Sequence, residues 1–153
     1  MVRFLLASTI MASASMASAL SVCAGEGPRY GDFKCDHDET HRVCATLVNN
    51  KGGQCKELSW GTGDFWSITG QSAWNWKKDI CAKPNPGAGW CICMWATAKL
   101  IEKVGCDNVH LDCAATDTKW VMSHYTDGGQ KLHAAHACLV KKCGAKAEFK
   151  ARR

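Results

Sequence analysis

The chain has no Cys-x-x-Cys pair, no His-Glu-x-x-His and no Gly-x-Ser-x-Gly. The first absence excludes a thioredoxin-type redox site and a zinc ribbon built on paired cysteines. The second removes the common helix-borne site of zinc peptidases, and the third the nucleophile elbow of an α/β-hydrolase. Gly61-Thr62-Gly63-Asp64 comes nearest to a phosphate-binding loop, but it lacks both the next glycine of the dinucleotide pattern and the lysine of a P-loop. No Asn-x-Ser/Thr occurs, so N-glycosylation is not expected. No run is apolar enough to span a bilayer. Charged residues are only 22% and the formal net charge is +5, too mild to call for a nucleic-acid partner. There is no internal repeat and no low-complexity tract.

What is present is cysteine and tryptophan. The 153 residues fit one domain, 46% of them are hydrophobic, and they include 11 cysteines and 7 tryptophans. Residues 1–19 read as a signal peptide. Arg3 supplies the positive end, Phe4 to Met16 the apolar stretch, and Ala17-Ser18-Ala19 the small residues before cleavage at Leu20. All the cysteines follow that point. Secretion, or residence in the secretory pathway, is therefore expected, because disulfides persist in oxidising compartments. Residues 20–144 form the expected cysteine-rich globular domain, and residues 145–153 a basic C-terminal tail.

The local patterns predict an α+β fold: a small sheet packed by two or three helices and stapled by disulfides. Val43 to Val48 is a β-prone run, followed by turn residues Asn49 to Gly53. Asp64 is placed to cap a short helix over Phe65–Ile68, stopped at Gly70. Pro84 and Pro86 exclude a regular helix in Cys81–Gly89. Met94 to Val104 has helical spacing with Gly105 at its end. Val109–Cys113 alternates as a strand does. Thr116 or Asp117 caps a helix over Thr118–Tyr125, and Gln130–Cys143 reads as a last helix ending at Gly144. Trp90, Trp95, Ile101, Val109, Leu111, Val121, Leu132 and Leu139 are the expected core.

Eleven cysteines allow at most five intrachain disulfides and leave one thiol over. Cys23, Cys35, Cys44, Cys55, Cys81, Cys91, Cys93, Cys106, Cys113, Cys138 and Cys143 are all candidates, and the sequence does not fix their connectivity. Cys91 and Cys93 are not expected to bond each other, since a Cys-x-Cys ring is strained. The odd cysteine is open to joining two chains or to thiol redox chemistry.

Four segments carry a resemblance. His41-Arg42-Val43-Cys44-Ala45, Trp90-Cys91-Ile92-Cys93, Val109 to Thr116 and His133-Ala134-Ala135-His136-Ala137 stand in this order. The chain resembles a mostly bacterial family of uncharacterised proteins, domain of unknown function 2237, over about Gly31 to Ala137. It departs by its extra cysteines and by Asp117, where the family has a histidine. The resemblance implies a compact α+β fold and carries no known activity.

Two constellations remain. Tryptophans stack on sugar faces and flat apolar ligands. Trp66, Trp74 and Trp76, with His41 and His136, are therefore the candidate binding residues of a non-enzymatic module for a small molecule or glycan. His133 and His136, three apart on one helix, are the alternative metal pair. Asp36 to His41 adds two imidazoles and three carboxylates. No metal is favoured and no cofactor is expected. A third reading is an undescribed enzyme with His41, Cys44 and His136 near one pocket.

Overall fold

The centre of the fold is one antiparallel pair, β1 (Val43–Thr46) with β4 (Gly89–Ile92), in the register Val43↔Ile92, Cys44↔Cys91, Ala45↔Trp90 and Thr46↔Gly89. Nearly every residue of both strands is buried, so they read as continuous apolar runs rather than alternating ones. This is a computed structural model, and it describes residues 19–27, 29–49, 55–71, 77–81 and 87–145. The expected leader apart from Ala19, the tail after Ala145, and Trp74 and Trp76 lie outside the described residues.

On the far edge of β1, Thr46 N–H donates to His110 O and Asp112 N–H to Cys44 O. The expected strand Val109–Cys113 is reduced to a single bridge, Ala45↔Leu111. The reason is Asp112, whose side chain accepts from Ala114 and Ala115 N–H and turns the chain away. Two further pairs are short: β2 (Val48–Asn49) with β3 (Lys56–Glu57), and β5 (Thr126–Asp127) with β6 (Gln130–Lys131).

The helices follow their sequence signals closely. In α1 (Phe65–Thr69) Asp64 accepts from Ser67 N–H, and Gly70 ends the helix in the left-handed region. A helical turn over Lys77–Ile80, α2, was not expected. The helix α3 (Met94–Val104) stops at Gly105 as its pattern predicts. The helix α4 (Thr118–Ser123) is capped by Asp117, which accepts from Trp120 N–H. The last helix, α5, spans His133–Cys143 and does not begin at Gln130. Gly128 and Gly129 both have positive φ, 52° and 79°, and their turn draws Gln130 and Lys131 into a hairpin first.

The helices α3 and α5 pack on each other and on the strands around Trp60, Phe65, Ile80, Val109, Val121, Leu132 and Leu139, all essentially inaccessible. Of the expected core, Trp95 and Leu111 are only half-buried. Five disulfides staple this α+β domain: Cys23–Cys44, Cys35–Cys91, Cys55–Cys81, Cys106–Cys138 and Cys113–Cys143. The thiol left over is Cys93. Among the described residues, no helix is long and apolar enough to cross a membrane.

The N-terminus of α3 is capped from a distance. Cys93 occupies the N-cap position and makes no side-chain cap bond. Instead Thr40 O accepts from Met94 N–H, and Asp127 Oδ2 on the β5–β6 hairpin accepts from Trp95 N–H at 3.0 Å and from the Thr40 hydroxyl. Asp127→Ala should therefore lower the unfolding free energy by about 1–2 kcal/mol. Asp127→Asn, which keeps an acceptor, should lose less. Urea denaturation of the two variants checks this.

Candidate functional site

Cys93 lies where β4 ends and α3 begins, and this junction aims its side chain. Its backbone is still extended, φ −64° and ψ 144°. Had the strand continued, Cys93 would have shared the buried face of Cys91. The turn into the helix diverts it to a groove instead. It is half-buried there, and burial pushes its thiol pKa up. The Asp127 and Asp38 carboxylates push the same way, while the Thr40 hydroxyl and Arg29 oppose them. A helix N-terminus ordinarily favours a thiolate. Here that electrostatic help is already taken up by Asp127 and Thr40 O.

His41 lines the same groove. Its Nδ1 sits 2.7 Å from Asp38 Oδ2. Asp38 also accepts from His41 and Thr40 N–H and from the Tyr30 hydroxyl. Burial works to raise the Asp38 carboxyl, but these hydrogen bonds together hold it below the usual carboxylate range. An ionised Asp38 fixes the proton of neutral His41 on Nδ1 and leaves Nε2 as the acceptor. Among the described residues Nε2 has no hydrogen-bond partner.

The groove itself runs between α1 and α3. Its first part, about 500 Å³, is lined by His41, Phe65, Gln71, Ile92, Cys93 and Trp95, among others. It continues past Thr69, Gln71, Trp95 and Ala96 into a smaller part of about 230 Å³ that ends at Lys99 and Lys103. On α3 the lining residues Cys93, Ala96, Lys99, Leu100 and Lys103 follow the three-and-four spacing of one helix face. Lys99 Nζ stands 5.3 Å from the centre of the Trp95 ring, and Lys103 Nζ donates to Ile68 O. The groove thus has a thiol and an imidazole at one end, a flat indole in the middle and two ammonium groups at the other.

The sequence-predicted residues divide. His41 is in the groove. Trp66 is not at a surface: it is 4% exposed and packs edge-on against Phe65 in the core. His136 lies elsewhere, its Nε2 engaged with Val121 O at 2.9 Å, and His133 is exposed. Cys44 is held in the disulfide with Cys23, so it cannot act as a nucleophile with His41. Asp36 and His37 do meet an acidic partner, Asp32, but on an exposed loop, where His37 also stacks on Tyr30. Trp74 and Trp76 fall outside the described residues. Sequence reasoning missed Cys93 and Trp95 as site residues. The odd cysteine count signalled a free thiol, and nothing in the spacing said which one.

Behind the site, Glu26 is fully buried. It accepts from Cys91 N–H at 2.6 Å and from Arg29 Nε at 2.5 Å, and Arg29 also donates to Cys91 O. Burial raises its pKa to about 7, against the lowering pull of Cys91 N–H and Arg29.

No family model, no curated protein and no solved structure matches the chain.

The raised Glu26 pKa makes stability depend on pH. The folded chain holds this proton up to about pH 7, while the unfolded chain releases it near 4.5. Glu26 therefore adds stability that is full below about 4.5 and is lost as pH rises through 7. Asp38 works in the opposite sense: its contribution is present above about 3.8 and is lost as pH falls through its lower folded value. The unfolding free energy should fall by roughly 1–3 kcal/mol between pH 5 and 8. Glu26→Gln should flatten that slope. Denaturation midpoints across this range check both.

Proposed function

We propose that this chain is a secreted, disulfide-stapled binding module that takes a small molecule in the groove between α1 and α3. The observation that carries the reading is the continuity of the groove past a half-exposed indole. Phe65 and Ile92 give it an apolar floor, and Trp95 offers a flat face for stacking. Lys99 and Lys103 favour a ligand with an anionic group at the far end. Concave, mostly apolar sites with a few placed polar groups are where small ligands bind. The disulfides and the signal-like residues 1–19 support the secretory part of the reading.

A flat apolar probe with one sulfonate, anilinonaphthalene sulfonate, fits this description. Its emission should rise saturably with the protein, with no loss on adding a chelator. Thr69→Trp, which fills the middle of the groove, should abolish the saturable part. Lys99→Glu should weaken it several-fold. Equal binding by the parent and Thr69→Trp would place the probe elsewhere and overturn the reading.

A further inference from the structure

Several of the polar side chains that line the groove are already engaged, and two of those left open stand at its opposite ends. We infer that the ligand is an aryl carboxylic acid with a hydrogen-bond donor, such as a phenol, at the end away from its carboxylate, and that His41 is the residue that selects it. The inference rests on the groove being a small-molecule site and names the class of molecule that fits it.

The polar lining narrows the chemistry. Thr69 donates its hydroxyl to Phe65 O at 2.8 Å, Lys103 Nζ donates to Ile68 O, and the Cys93 thiol is hydrogen-bonded to Thr40. Gln71 presents an amide, which serves donors and acceptors alike. The remaining two groups are more exacting. His41 Nδ1 is held by Asp38, so its open nitrogen is Nε2, an acceptor. Lys99 Nζ stands beside the Trp95 ring and has no carboxylate partner among the described residues. A single free ammonium suits a single negative charge on the ligand.

The order of these groups along the groove sets their order on the ligand. Thr40 O accepts from Met94 N–H, which pins His41 beside the first residue of α3. Trp95 follows, and Lys99 stands one turn beyond it. The rise from Met94 to Lys99 is about 7–8 Å. A phenyl ring with a donor on one side and a short carboxyalkyl chain on the other covers that length. The indole between the two ends is backed by the β5–β6 turn, where a side chain on Gly128 would meet Trp95 Cδ1 at 3.3 Å. A ring held in place stacks on a flat ligand at little further cost in freedom.

The same chemistry excludes close relatives of the ligand. A methyl ether has no proton to donate to Nε2. A second anion at the His41 end would face Asp38, which its hydrogen bonds keep ionised. A phenol holds its proton near neutral pH, so it donates there without adding charge.

The test measures, by calorimetry on the full native chain, the binding of para-hydroxyphenylpropionate, its para-methoxy counterpart and unsubstituted phenylpropionate. The hydroxyl probe should bind about tenfold more tightly than the other two. His41→Phe should bind all three alike. Lys99→Glu should weaken all three together. If His41→Phe does not fold, nitrogen NMR of the parent decides: the His41 Nε2 resonance should shift with the hydroxyl probe and stay in place with the methyl ether. Equal binding of the three probes by the parent, a preference that survives in His41→Phe, no loss in Lys99→Glu, or an unmoved Nε2 resonance overturns the inference. Anilinonaphthalene sulfonate separates the two readings. A chain that takes the sulfonate and none of the three acids sinks this inference alone, and one that takes neither sinks the groove reading with it.

Discussion

Everything near the site depends on how the backbone of one cross-strand pair is satisfied. At Cys44↔Cys91 the N–H and C=O groups point away from each other, toward the two edges of a two-stranded sheet. Buried backbone groups without partners are costly. On the Cys44 side, Thr116 Oγ1 accepts from the N–H, and Asp112 N–H donates to the C=O. On the Cys91 side no strand is present among the described residues. The carboxylate of Glu26 and the guanidinium of Arg29 stand in for one: an acceptor for the N–H and a donor for the C=O. A Glu/Arg pair is thus a strand edge made of side chains, and its burial follows from that job.

The same two residues anchor the covering segment covalently. Cys44 is tied to Cys23 and Cys91 to Cys35, so both ends of the segment carrying Glu26, Arg29 and Tyr30 are fixed to the central pair. Closing such loops removes on the order of 3–4 kcal/mol of freedom from the unfolded chain. The fit is close. A side chain at Gly89 would meet the sulfurs of both Cys23 and Cys44 at 3.0 Å. Ala24 O accepts from Ala88 and Gly89 N–H, which carries the cover along β4. Tyr30 then reaches Asp38, and Asp38 reaches His41. The position of the imidazole is set from the covering segment, one hydrogen bond at a time.

Local signals in the sequence were read well where one residue decides the outcome. Asp64 with Gly70, Asp117 before α4, and Gly105 after α3 each end or start a helix by their own side chain or φ, so they are visible without tertiary knowledge. The α+β class followed from the same signals. The site was less legible because it is assembled from partners far apart in the chain. Thr40 and Trp95 meet Asp127 across 87 and 32 residues, and no periodicity encodes that. Tryptophan count misled for a similar reason. An indole beside Phe65 reads the same in sequence whether it faces solvent or, as Trp66 does, the core. Trp95 looked like core because it sits on an apolar helix, but its position on the α1-facing side leaves one face open.

A free thiol two residues from Cys91 is a hazard in a chain with five disulfides, because a thiolate at Cys93 could attack a neighbouring disulfide and shuffle the pairing. Exchange runs through the thiolate, so a thiol kept protonated by burial and nearby carboxylates exchanges slowly. Asp127 contributes twice. It caps α3 in place of the Cys93 side chain, and its charge opposes ionisation of the same cysteine. Capping α3 from the hairpin also leaves the sulfur without a structural duty, turned to the groove rather than to the helix. The resting thiol is therefore quiet toward its own disulfides even though its sulfur lines an open groove.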